Sequence, residues 1–145
     1  MAAYNKIQDF VEQLCAAKHD FTAAGHVMKA MLTLVAPVAT NTVKADLTEI
    51  AAGNGYTAGG EDSQNTLAEA AGTATVSATK IVWTASGGSM AAFRYVVLYN
   101  DTQTSPVDPL VAWWDYGSSL TLLTGETFTV KWNSGDPTGS VLSIT

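Results

Sequence analysis

Residues 81 to 116, IVWTASGGSMAAFRYVVLYNDTQTSPVDPLVAWWDY, constrain this chain more than any other stretch. Three apolar, aromatic-rich runs are cut apart by two turn-rich breaks. The chain has four Trp, five Tyr and four Phe, and seven of those thirteen rings fall here: Trp83, Phe93, Tyr95, Tyr99, Trp113, Trp114 and Tyr116. Runs of four to eight residues rich in aromatic and β-branched side chains, bounded by Gly, Ser, Pro and Asp, predict core strands. In FRYVVLY, Phe93, Tyr95, Val97 and Tyr99 share one face. Arg94, Val96 and Leu98 share the other, so both faces are mainly apolar and the strand is expected at the centre of a sheet.

The β pattern extends both ways. Thr73–Thr79 and Lys80–Ala85 read as strands. Leu120–Leu123 and Glu126–Trp132 bracket Thr124-Gly125, which predicts a hairpin. In ETFTVKW, Phe128, Val130 and Trp132 point inward, with Thr127, Thr129 and Lys131 outward. Val141–Thr145 closes the chain as a strand. His26–Val35 is an apolar run between Gly25 and Pro37, and reads as the first strand. The expected fold class is therefore all-β: a β-sandwich or jelly-roll-like domain of about seven or eight strands. Residues 1–145 are expected to form one domain: an N-terminal helical arm over 1–25, a first strand over 26–36, a long Gly-rich loop over 37–66 and the main β region over 67–145.

One helix is expected, over 4–18. Ile7, Phe10, Val11 and Leu14 recur at i, i+3, i+4 and i+7, with Asn5 as cap and Gln8 as a weak capping-box partner. Cys15, the only cysteine, falls in this pattern and reads as a small core residue. A single cysteine excludes an intrachain disulfide and fits a reducing site of synthesis. In the 37–66 loop, Thr42–Ile50 reads as one short helical turn capped by Thr42. The segment AAGNGYTAGG holds four glycines and reads as turns. A loop this long in a small domain is often functional.

Composition narrows the function classes. The net charge is −6 and the seven basic residues are scattered, which argues against a nucleic-acid partner. No run of about 18 apolar residues exists, so no membrane helix is expected, and the N-terminus shows no signal-peptide h-region. His19 and His26 lack metal-ligand spacing and read as solvated or locally hydrogen-bonded. Asp101, Asp108, Asp115 and Asp136 sit at expected strand ends and read as solvated turn residues rather than a calcium site. The GNGYTAGG stretch lacks the lysine and context of a phosphate loop. No catalytic, metal or cofactor motif is present; the chain does not read as an enzyme. Trp113 and Trp114 point to opposite faces if both lie on one strand. Three readings stay open for them: a two-sided core, a protein interface, or, with Trp132, an exposed platform for sugar rings.

The stretches PVATNTVKADLTEIAAGNGYTAGG, WTASGGSMAAFRYVVLYNDT and WWDYGSSLTLLTGETFTV, with the opening FVEQLCAAKHDF and VMKAMLTLVAPVATNT, resemble a family of small structural proteins of tailed bacteriophages. The resemblance covers nearly the whole chain, in the family's order. It implies a virion component made in the host cytoplasm: a capsid decoration (cement) protein bound outside the shell of the major capsid protein, or alternatively a tail or head-fibre component with carbohydrate or receptor binding. It implies no catalytic residue and no cofactor. A homo-oligomer, expected as a trimer, would place Ile7, Phe10, Val11, Leu14, Asn54, Tyr56 and Trp113 at subunit or capsid contacts.

Overall fold

The computed structural model describes residues 2–135 and 137–145, with Ser134 described by its backbone only. In chain order the elements are β1 (Tyr4–Lys6), α1 (Asp9–Cys15), β2 (Met28–Thr33), β3 (Glu61–Asp62), β4 (Thr66–Ala70), β5 (Thr73–Thr79), β6 (Ile81–Thr84), β7 (Phe93–Asn100), β8 (Leu110–Leu120), β9 (Thr127–Val130) and β10 (Thr138–Ile144). The chain is all-β, with antiparallel pairing throughout. A five-stranded sheet has the order β1-β8-β7-β2-β3, a three-stranded sheet β10-β5-β4, and a two-stranded sheet β6-β9.

Strand β7 lies at the middle of the large sheet and is buried on both faces apart from the half-buried Arg94. This is the two-sided burial its apolar alternation predicts. The register Tyr4↔Trp114, Val96↔Trp114 and Leu32↔Val96 puts these four side chains on one face. The small β6-β9 sheet packs over it: Phe128 stacks on Trp83 at 6.1 Å and meets Phe93 edge-to-face at 4.9 Å. Trp83 and Phe93 are almost wholly buried, and such rings supply much of a core's apolar area.

Several expectations are corrected. Among the described residues the strands number ten, because β1 and β3 are too short to show a period of two. The helix spans seven residues, Asp9–Cys15, starting from Gln8 rather than Asn5. Tyr4, Asn5 and Lys6 instead pair with Trp114, Trp113 and Ala112 at the open edge of β8. A ladder partner satisfies that backbone at once, whereas a short helix carries its nucleation cost. Cys15 is exposed, not a core residue. The first strand of the chain is thus β1, and β3 and the start of β4 fall within the 37–66 segment read as loop.

The Thr124-Gly125 turn forms, with Glu126 N–H donating to Leu123 O at 2.9 Å, but it is a corner and not a hairpin. Leu120 pairs with Phe93 in the large sheet, whereas β9 pairs with β6. The chain must change sheets here for Phe128 and Val130 to reach the core. The alternation in β9 holds as expected, with Phe128 and Val130 half-buried and Thr127 and Thr129 exposed. Strand β8 runs through Gly117 to Leu120 instead of stopping at Tyr116.

The long Gly-rich segment is fastened to the free edge of β2. Strand β3 pairs with Lys29 and Ala30, and an isolated bridge joins Glu49 to Thr33. Between them, the Tyr56 hydroxyl accepts the Leu32 N–H at 3.1 Å, while Ile50 N–H donates to Leu32 O at 3.1 Å. Tyr56 OH donates to Glu49 Oε1 at 2.6 Å, and Gly59 N–H donates to the same oxygen at 2.6 Å. The buried Tyr99 completes the clamp: its hydroxyl donates to Gly59 O at 2.7 Å and receives a bond from Lys44 Nζ at 3.3 Å. Burial first, then the bond to Glu49, raises the Tyr56 phenol pKa; burial and the Asp101 charge raise that of Tyr99. Both phenols stay neutral donors at any physiological pH.

The short helical turn expected in Thr42–Ile50 is a 3-10 turn, Lys44–Asp46. Thr42 does not cap it. The Asp46 carboxylate accepts from the N–H groups of Thr42 at 2.7 Å and Val43 at 3.2 Å. Gly60 is required sterically. Its φ is +73°, and a Cβ there would collide with the Ala30 carbonyl.

Two substitutions test this anchoring. Tyr56→Phe strands the Leu32 N–H and removes a donor from Glu49, so denaturant unfolding should show a loss of about 1–3 kcal/mol. Gly60→Ala should cost more than about 1 kcal/mol, because neither the positive φ nor the contact can be met.

Candidate functional site

Two features stand out: an aromatic groove between the sheets, and a polar hub at the end of β7. The groove arises because β8 presents Trp114 and Tyr116, two residues apart, on the face that also carries Tyr4 and Val96. The opposite wall comes from Phe128 and Val130 of β9, from Trp132, and from Val141 of β10. The β10–β5 register shifts between Ser140 and Leu142, so Val141 is an extra residue, and it lines the groove. The cleft has a volume of about 730 Å³.

Its rings brace one another edge-to-face. Tyr4 meets Trp114 at 5.8 Å, Trp114 meets Trp132 at 5.1 Å, and Tyr116 meets Phe128 at 5.6 Å. Trp132 donates its indole N–H to Thr79 O at 2.9 Å, which locks that wall in place. Tyr4 and Tyr116 remain about half exposed, at 41% and 53%. Asn133 and Ser140 add amide and hydroxyl groups to the lining, and no carboxylate among the described residues lines it.

Trp113 and Trp114 do lie on opposite faces, as their adjacency on a strand requires. Trp113 packs edge-to-face on Tyr95 at 5.8 Å, beside the fork of Arg94 on Asp115, whose two bonds are 2.8 Å each. Both tryptophans are half-buried. The other contact candidates divide by burial. Ile7, Phe10 and Tyr56 are spent in the core of this chain, so their side chains are not available to a neighbour. Leu14 packs partly against that core, while Val11 and Asn54 are exposed. The Asn54 amide bonds Ser89 O at 2.7 Å, tying the tip of the glycine-rich loop to the 86–89 turn. Tyr4, Tyr116 and Phe128 were not singled out for a site from sequence. They come together only through the pairing of β1 with β8 and the packing of β9 above it.

The polar hub centres on the buried Asn100. Its amide faces Lys18 O at 3.0 Å, His19 Nδ1 at 3.2 Å and His26 Nδ1 at 2.9 Å, and its Oδ1 accepts from the N–H groups of Thr102 and Gln103. The locally hydrogen-bonded reading of the histidines thus applies to both. Of the aspartates, Asp101 pairs with Lys29 at 2.8 Å and Asp115 sits inside β8 on Arg94, not at a strand end. Asp108 is half-buried, and its carboxyl pKa is raised by burial and by the Asp101 charge. Asp136 lies outside the described residues. Among the described residues no group of three or more His, Cys, Asp or Glu converges on a metal position, and no helix is long and apolar enough to cross a membrane.

Comparison with known proteins returns no match among family models, curated proteins or solved structures.

The hub has a pH signature. Burial, reinforced by the neighbouring His26 and only partly opposed by Asp9, pushes the His19 imidazole down to about 4. The unfolded chain therefore takes up a proton near pH 6.5 that the folded chain refuses until about pH 4. Stability is complete above pH 6.5 and falls as pH drops through that window, by up to about 3 kcal/mol. His19→Asn keeps an acceptor for Asn100 without a titrating group, so unfolding free energies measured from pH 7 to 4 should lose this slope in the variant.

Proposed function

We propose that this chain is a structural component of a tailed-bacteriophage virion, a decoration protein bound to the outside of the major capsid protein shell. The phage resemblance of the stretches around Pro37–Gly60, Trp83–Thr102 and Trp113–Val130 supports the virion class. The observation that carries the assembly part of the reading is the β4–β5 ribbon. All five residues of β4 are exposed, and β4 forms the outer edge of its sheet. Leu67 there is 42% exposed, and the Ala71-Gly72 turn that closes the ribbon has both φ angles positive. An edge of small and apolar residues bearing one charge, Glu69, offers unpaired backbone groups to another chain. Strand β4 is held on one side only, by β5, so a strand from a neighbouring copy could pair along its other side.

The clamped loop supports the same reading, since a decoration protein needs stiff surfaces that dock without ordering cost. A closed ring of copies, a trimer in our proposal, would bury equivalent edges. Binding the assembled shell and not its disassembled parts would stabilise the shell by mass action. A tail or head-fibre position is the alternative within the same class.

Sedimentation of the protein with mature phage shells lacking it tests the proposal. The expected result is saturable co-sedimentation at a fixed ratio to the major capsid protein. Leu67→Lys, which sets a second charge on the open edge without touching the core, should leave the fold intact and weaken assembly. A discrete oligomer that never binds shells would move the protein to the tail, and a monomer that binds neither would overturn the reading.

A further inference from the structure

We propose that the groove between β8 and β9 is a binding site for a neutral oligosaccharide. The inference does not depend on where in a virion the protein sits. A pyranose ring has an apolar face of C–H groups and a rim of hydroxyls. A site for it needs exposed aromatic faces flanked by polar donors and acceptors.

The groove supplies both. Trp114 and Tyr116 follow each other along β8, and Tyr4 stands beside them on β1. Edge-to-face contacts brace the rings, while Tyr4 and Tyr116 stay about half exposed and Trp114 partly so. The Trp132 indole N–H is used by Thr79 O, whereas that of Trp114 has no protein acceptor among the described residues. Asn133 and Ser140 supply amide and hydroxyl groups.

Size and charge point the same way. The volume of about 730 Å³ falls within the range of roughly 300–1,000 Å³ of small-molecule sites, and the shape is a cleft, unlike the flat patch of a protein interface. The chain carries thirteen acidic residues, yet none among the described residues lines this groove. The exposed Lys131 is the one charged residue of the described lining, too little to select an anionic ligand over a neutral one. A neutral polyhydroxylated ligand therefore meets no buried carboxylate that it must desolvate. The walls are braced before a ligand arrives, so little ordering is required on binding.

The test is a titration of the full chain with chitohexaose, maltohexaose and cellohexaose, followed through the tryptophan indole resonances. The expected result is a saturable shift of the Trp114 indole signal with at least one of the three, while the signal of the buried Trp83 stays fixed. Tyr116→Ala alters a half-exposed side chain that packs on Phe128 and on no indole, so it should preserve the indole spectrum of the free protein and weaken binding about tenfold or more. Tyr4→Ala, at the other end of the row, should also weaken binding about tenfold or more; because Tyr4 packs on Trp114, the free-state Trp114 signal moves in this variant and binding is read from its further shift on titration. Absence of any Trp114 shift with all three saccharides up to about 1 mM would overturn the proposal. Binding that is undiminished in both variants would overturn it equally, because the sugar would then sit elsewhere.

Discussion

The Glu49 carboxylate is the interaction on which the rest of this molecule depends. One of its oxygens takes both the Tyr56 hydroxyl and the Gly59 N–H at 2.6 Å, and the other lies 3.6 Å from Lys44 Nζ. Charge-assisted bonds of this kind are shorter and stronger than neutral ones. Through them, the glycine-rich segment takes the place of an edge strand along β2. Without it, Leu32 would present an unpaired N–H and C=O at the border of an otherwise complete ladder. The large sheet would then end in an open edge beside its most buried strands. Because Tyr99 of β7 reaches the same cluster through Gly59 and Lys44, the clamp ties the loop to the centre of the sheet as well as to its rim.

That arrangement divides the molecule into protected and unprotected borders. The β2 edge is covered by β3 and the clamped loop, and the β8 edge by β1. The β4 edge is left open. Of the sheet edges, β4 is a five-residue strand exposed along its whole length, which leaves its outer backbone groups open to a partner strand. The aromatic groove is a separate consequence of the same architecture. The sheets touch through Trp83, Phe128 and Phe93, and beside that contact the groove leaves Tyr4 and Tyr116 braced but about half exposed.

Much of the β framework was legible in the sequence where local pattern and tertiary outcome agree. Phe93–Asn100 alternates apolar residues on both faces and is buried on both. Thr127–Val130 alternates cleanly and keeps its threonines in solvent. What was not legible depends on partners distant in the chain. Tyr4–Lys6 shares a helical pattern with residues 7–14, and only the free edge of β8 makes it a strand. Thr124-Gly125 is a turn in either case, and only the pairing of β9 with β6 shows that it changes sheets. The clamp joins Lys44, Glu49, Tyr56 and Tyr99, residues with no motif among them. The groove was only partly visible: Trp114 was a candidate for an exposed platform and is half-buried at the groove, Trp132 was another but is buried at 3% exposure, and Tyr4, Tyr116 and Phe128 join them only by register and packing. Ile7, Phe10 and Tyr56 show the converse, since apolar character alone does not distinguish a core residue from an interface residue.

Native-state amide hydrogen exchange tests the clamp most directly. If the loop is an integral border of the sheet, the amides of Leu32, Ile50 and Gly59 open only in the unfolding event that also exposes β7, with protection close to that of Val97 and Leu98. Exchange at Ile50 and Gly59 as fast as in the exposed chain ends, with β7 still protected, would contradict the account. The loop would then be a surface connection, and the stiff border inferred from Glu49, Tyr56 and Tyr99 would not exist in solution.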